Sequence, residues 1–176
     1  MKLLGVIVSD SLKWGQNTDF ICKKEKSKIW LLRYMKESGL TDSQLVDAYK
    51  KEVRSLLELA VPVWNSGLTQ SQCLQIERVQ KNALSAILGF RYISYKHALK
   101  SLSLEELSVR REKICLKFIS KNLKGNSPLL SPTHKTHDTR SSPFLVKEFK
   151  CNTKAFFESS LPYLARLFNS NINLKK

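Results

Sequence analysis

Carboxylates are scarce in this chain and nowhere gathered. Fifteen Asp and Glu stand against thirty Lys and Arg, a formal net charge of +15. The five aspartates, Asp10, Asp19, Asp42, Asp47 and Asp138, include no adjacent pair. Two-metal nucleotidyl transfer needs carboxylates clustered around ions about 3.5–4 Å apart, and nothing in this spacing supplies such a cluster. Asp42 and Asp47 suit the first turns of a helix, where a negative charge meets the positive end of the dipole. Asp10 follows a short apolar run, but an RNase H-like site would need further strands and carboxylates, and the chain turns helical instead.

Other absences narrow the chemistry further. The six glycines make no phosphate-binding loop, and no serine–histidine arrangement is legible. The four cysteines, Cys22, Cys73, Cys115 and Cys151, contain no CxxC pair, and three sit in helical patterns, so they read as reduced, packed thiols. His134 and His137 precede Cys151 without a fourth ligand at zinc-finger spacing. His97, alone on a short helix, reads as a packed or surface side chain. No apolar stretch approaches the roughly 20 residues that span a bilayer, and Leu3–Val8 is too short for a signal peptide. The expectation is a soluble intracellular chain, cytoplasmic or nuclear, without membrane, metal or cofactor, and not an enzyme in isolation.

What the chain has in excess is positive charge on an ordinary globular composition. Hydrophobic residues make up 42% and charged residues 26%, enough apolar surface to offset the entropy of ordering a core. A domain this basic repels itself unless a polyanion screens it, so nucleic acid is the expected partner. The alternative is a surface charged only for solubility.

The order of elements is mostly helical. Residues 3–8 read as one short buried strand. A first helix runs from about Asn17 to Ser38, closed by Gly39, with Lys23, Lys24, Lys26 and Lys28 crowding one end. Ile29, Trp30, Leu31, Leu32, Tyr34 and Met35 fill the other end, expected to pack. Thr41 and Gln44 form a capping box opening a second helix. Its apolar face is Leu45, Tyr49, Val53, Leu56 and Ala60, and Pro62 ends or kinks it. Thr69 and Gln72 repeat the box and start a third helix, with Ile76, Val79, Ala83 and Ile87 buried and Gly89 as its stop. A short helix follows around Tyr95–Leu102. Ser103 and Glu106 then read as the box of a fifth, running to about Leu123. On it Arg110, Lys113, Lys117, Lys121 and Lys124 fall in one arc at about 100° per residue, free of acidic residues, which favours an anion-facing stripe over a merely solvated face. Residues 126–150, with Pro128, Pro132 and Pro143, carry no helical period. Ser160 and Pro162 suit the start of a last helix, Leu161–Asn169.

The fold expected is therefore mostly α, a bundle of about five helices preceded by one short β-strand, with a loop-rich C-terminal segment. Its parts divide as 1–15, a strand and loop; 16–124, a helical domain; 125–152, a linker; and 153–176, a short helix and tail.

Several stretches, in order, resemble one family. Lys2 through Ser9 and Leu12-Lys13-Trp14 are similar to the "K-x-LGV…L-x-W" strand and loop that ends the palm in non-LTR (LINE-type) retrotransposon reverse transcriptases of the Jockey kind. Val53 through Trp64, reading VRSLLELAVPVW, resembles that family's "IRSVLEYAAPVW". Ile76 through Leu84, IERVQKNAL, resembles "LERVQKRALR". Ile21 through Lys24, Leu31 through Arg33, Leu107 through Leu116, and Ser160 through Tyr163 ("SFIPY" in the family) resemble it more weakly. The resemblance covers most of residues 2–124 and returns near 153–169. The family's fingers, palm and catalytic aspartates have no counterpart here.

The resemblance implies the thumb and connector of an RNA-directed DNA polymerase, whose helices hold the RNA–DNA duplex beside the palm, and implies the palm itself as a second partner. Duplex contact then falls to Lys23, Lys24, Lys28, Arg110, Lys113, Lys117 and Lys121, as phosphate contacts that position without reading sequence. Val53, Leu56, Trp64, Ile76 and Val79 are assigned to the core. The competing reading is a repurposed helical module that binds a protein, its charge incidental.

Overall fold

A computed structural model describes residues 1–11, 13–124, 132–133 and 145–173, and they are mostly α-helical. In chain order they form β1 (Lys2–Leu3), β2 (Val6–Ile7), α1 (Gly15–Glu37), α2 (Asp42–Ala48), a π-helical turn (Tyr49–Arg54), α3 (Ser55–Leu57) and α4 (Val61–Trp64). There follow a 3-10 turn (Asn65–Gly67), α5 (Gln70–Leu88), a 3-10 turn (Gly89–Arg91), α6 (Tyr95–Ser101), α7 (Leu107–Lys124), β3 (Pro132–Thr133), β4 (Leu145–Val146), α8 (Lys154–Phe157) and α9 (Ser160–Asn173). They divide into two compact units: Met1–Ala60 with Leu68–Arg110, and Val61–Gly67 with Arg111–Lys176. The division falls inside α7 and at Ala60. No described helix is long and apolar enough to cross a membrane.

The first unit opens with a correction. The apolar run at residues 3–8 is not one buried strand. It folds on itself as a hairpin, Lys2 opposite Ile7 and Leu3 opposite Val6. Leu4 and Gly5 have φ of +46° and +88°, the two left-handed residues of a type I′ turn, whose twist matches antiparallel strands. Within β1 and β2 only Val6 is buried. Asn17 on α1 accepts the Ile7 N–H at 3.0 Å, tying the hairpin to the helix.

Helix α1 packs on α5, α3, the π turn and β2. Both expected capping boxes are present. Thr41 and Gln44 cap α2 and Thr69 and Gln72 cap α5, each threonine side chain accepting the glutamine N–H while the glutamine side chain accepts in return. Along α5, Ile76, Val79, Ala83 and Ile87 are buried as the spacing predicts. The α2–α3 face departs from expectation. Leu45, Tyr49, Val53 and then Leu57 are buried, with Leu56 only half so. A π-helical turn accommodates an extra residue per turn, so the buried face advances by four residues at each step. Ala60, at φ +52°, ends the run before Pro62. The proline sits in the first turn of α4, where it removes no helical bond, so it does not kink the helix.

Ser103 is also reassigned. Instead of opening α7 it closes α6. Leu104 N–H donates to Leu99 O at 2.8 Å and Ser103 N–H to Lys100 O at 3.3 Å, the paired bonds of a Schellman cap, with Ser103 itself at φ +52°. Gly39 fills the same position after α1 at φ +87°, where a missing Cβ removes the steric cost. Ser103→Gly is therefore expected to stabilise the chain by about 0.5–1 kcal/mol, since a left-handed L-residue costs somewhat more than the added chain entropy of glycine. Chemical denaturation reads this directly; a lower midpoint would show that Ser103 does more than turn the chain. The start of α7 is held by another helix: Glu77 of α5 accepts Ser108 N–H and Tyr95 Oη–H, each at 2.6 Å.

The second unit gathers α4, its following turn and α9 with β4. Val61, Trp64, Leu164 and Ala165 are buried. Asn65 joins its polar interior, accepting from Arg111 Nε at 3.0 Å and donating to Tyr163 Oη at 3.2 Å. Ser160, expected as an N-cap, instead lies within α9 and donates to Pro62 O at 2.7 Å. The buried Asn169 amide extends a strand, bonding both Val146 N–H and Val146 O at 3.0 Å. The segment expected to be loop-rich contains an antiparallel ladder, Pro132 opposite Val146 and Thr133 opposite Leu145. His134, His137, Pro128 and Pro143 lie outside the described residues.

Candidate nucleic-acid interface

The seven basic residues assigned to duplex contact meet different fates. Arg110 is taken up internally. It grips Glu58 with Nε–Oε1 at 2.5 Å and Nη2–Oε2 at 3.0 Å, while Arg54 Nε lies 3.8 Å from the same carboxylate. A two-point Arg–carboxylate pair fixes geometry as well as charge, so Arg110 serves the fold. Lys28 is also engaged: its Nζ donates to Glu52 O at 2.6 Å and lies 3.3 Å from Glu52 Oε2. It bridges α1 to the π turn, satisfying a carbonyl there.

Lys23 and Lys24 remain exposed on α1 in the first unit, and neither has an ion-pair partner among the described residues. In the second unit Lys113, Lys117 and Lys121 are exposed along α7, with Cys115 and Ile119 buried on the other side of the helix. At helical rise these lysines step by about 6 Å. Lys117 and Lys121 have no ion-pair partner among the described residues. The stripe thus begins later than the sequence suggests, since Arg110 is diverted; the side chain of Lys124 lies outside the described ones.

Helix α1 is also not divided end to end. Ile21, Cys22, Glu25, Ile29 and Leu32 are buried along its length, whereas Trp30 and Tyr34, expected to pack, are 66% and 57% exposed. Their rings stack, with centroids 5.8 Å apart and planes 13° from parallel. Arg33 is exposed beside them. The signal was present in the sequence: Lys23, Ser27, Trp30 and Tyr34 recur at spacings of four, three and four, a single helical stripe.

Two other features bear on chemistry. A cleft of about 520 Å³ lies between α1 and the end of α5, lined by Arg33, Lys36, Glu37, Gly89 and Phe90. Its Lys36 Nζ is committed to Ile87 O at 2.6 Å, capping α5, and Glu37 opposes an anion there. Glu25 is fully buried, and neither carboxylate oxygen has a hydrogen-bond partner among the described residues. Burial pushes its pKa up to about 7 despite Lys28 and Lys24. Among the described residues, no three His, Cys, Asp or Glu side chains lie together so as to hold a metal. Cys22 and Cys115 are buried and Cys73 and Cys151 half-buried, and burial pushes the Cys115 thiol up to about 11. His97 is exposed.

Comparison with family models, with curated proteins and with solved structures finds no match to this chain.

Proposed function

We propose that this chain is a non-catalytic nucleic-acid-binding segment of a retrotransposon-derived RNA-directed DNA polymerase, gripping duplex through phosphates on its basic helices. The observation that carries the reading is the line of exposed lysines on α7, Lys113, Lys117 and Lys121, in a chain of net charge +15. Lysines at such intervals meet successive phosphates of one strand, and every contact releases condensed counterions. Lys23 and Lys24 add a second basic cluster in the other compact unit. Arg110 and Lys28 are withdrawn from the contact set, because their cations are spent on Glu58 and Glu52.

The test uses Lys117→Gln with Lys121→Gln. Both lysines are exposed, so stability should change by no more than about 0.5 kcal/mol. On a generic RNA–DNA duplex, the slope of log K against log salt should flatten by roughly 1–2 units. An unchanged slope would make α7 a solvated face and move the duplex contact to Lys23 and Lys24. Absence of any salt-dependent duplex binding by the parent chain would sink the reading and leave the protein-binding module in its place.

A further inference from the structure

We infer that the exposed face of α1 is a binding surface for single-stranded nucleic acid, with bases stacking on Trp30 and Tyr34 and phosphates held by Lys23, Lys24 and Arg33. The inference rests on the nucleic-acid reading above and goes beyond it in naming the form of the strand and the residues that take its bases.

The rings carry the argument. Two large aromatics left mostly in water, at 66% and 57% exposure, forgo the burial that their area would otherwise gain. They are nonetheless ordered against each other, nearly parallel at 5.8 Å. From the rings back towards Phe20 the exposed charge has one sign. Between Phe20 and Lys36, every exposed charged side chain described is basic: Lys23, Lys24 and Arg33. The acidic member of that stretch, Glu25, is turned inward. Glu37 lies one turn beyond and marks the end of the basic stretch.

Cations interleaved with exposed aromatic rings are what a single strand requires. Its backbone needs positive charge, and its bases, lacking partners, offer free faces to stack. A duplex does not fit this face equally well, because its bases are already covered by their neighbours and only phosphates are presented. A neutral protein surface would accept the rings but leave three cations unpaired. Lys23 and Trp30 are separated by about 10 Å along the helix. A strand lying along α1 therefore meets charge at one end and ring faces at the other, with Arg33 beside the rings to hold the next phosphate.

The experiment uses the full chain, a single-stranded oligo(dT) and an RNA–DNA hairpin duplex. Trp14 and Trp64 are buried while Trp30 is exposed, so quenching of tryptophan fluorescence by oligo(dT) reports chiefly on Trp30. Trp30→Ala with Tyr34→Ala should weaken oligo(dT) binding by about tenfold or more, leave hairpin affinity within about twofold, and keep the parent's denaturant unfolding curve. Trp30→Phe with Tyr34→Phe retains two rings and should retain most of the binding, separating stacking from any change in folding. Unchanged oligo(dT) affinity in the alanine variant, or a parent that binds hairpin but not oligo(dT), would overturn the inference and leave the duplex reading standing. A parent that binds neither would overturn both. An alanine variant that keeps oligo(dT) binding but loses self-association would assign the rings to a protein contact instead.

Discussion

Replacing Trp64 with alanine is expected to cost about 3–5 kcal/mol, enough to unfold the compact unit that contains it. Trp64 is 1% exposed and is among the largest fully buried side chains of the chain. It sits at the end of the four-residue α4, one turn after the buried Val61, and its buried ring helps anchor this short helix. Helix α4 packs on α9, which buries Leu164 and Ala165, and on the turn Asn65–Gly67. Truncation removes the transfer energy of the ring and leaves a cavity as well. Because the chain forms two compact units, a single melting temperature is a poor readout. Trp14, buried in the first unit, remains as a fluorescent reporter there. The expected result is an early unfolding step by circular dichroism that precedes the change in Trp14 emission. A Trp64→Ala protein that unfolds at the parent's denaturant midpoint would contradict the packing described for α4.

The features legible in the sequence were those set by local chemistry. Thr41 with Gln44 and Thr69 with Gln72 announce helix starts because both side chains act within one turn of their own backbone. The buried stripe of α5 follows from a regular 3.6-residue period. The illegible features all depend on a partner distant in sequence or on a broken period. The π turn moves burial from Leu56 to Leu57, which no fixed period anticipates. Ser103 and Glu106 satisfy the spacing of a capping box, yet the end of α6 claims Ser103 first, and Glu77, some thirty residues upstream, supplies the acceptor for α7. Arg110 lies in the same arc as Lys117, and only Glu58, 52 residues away, distinguishes a structural guanidinium from an exposed cation. On α1, aromatic residues clustered at one end suggest packing. Helical geometry instead puts Trp30 and Tyr34 on the outer face with Lys23, and puts Glu25, among four lysines, on the inner one.

That inward carboxyl gives the second large effect. Glu25→Gln is expected to stabilise the chain by about 3 kcal/mol at pH 8 and to make little difference at pH 4. The side chain is fully buried, with no hydrogen-bond partner on either oxygen among the described residues. Removal from water raises its pKa from 4.5 to about 7, against the attraction of Lys28 and Lys24 and with added repulsion from Glu52. Lys28 is the larger of the two attractions, but its ammonium is bonded to Glu52 and burial outweighs it. A folded pKa above the unfolded one means that the folded state holds the proton over the interval between them. The unfolded chain binds fewer protons there, so stability falls as pH rises from about 4.5 to about 7 and then levels off. Glutamine has nearly the same shape and no charge to bury, so it keeps the packing of the protonated acid and removes that slope. Denaturant unfolding of parent and variant at several pH values measures the difference directly. The gap between them should open through the same interval and be largest above pH 7. A constant gap would mean that Glu25 does not titrate there in the folded chain; a variant less stable at pH 8 would mean that the carboxylate is paired and contributes to the fold as an ion.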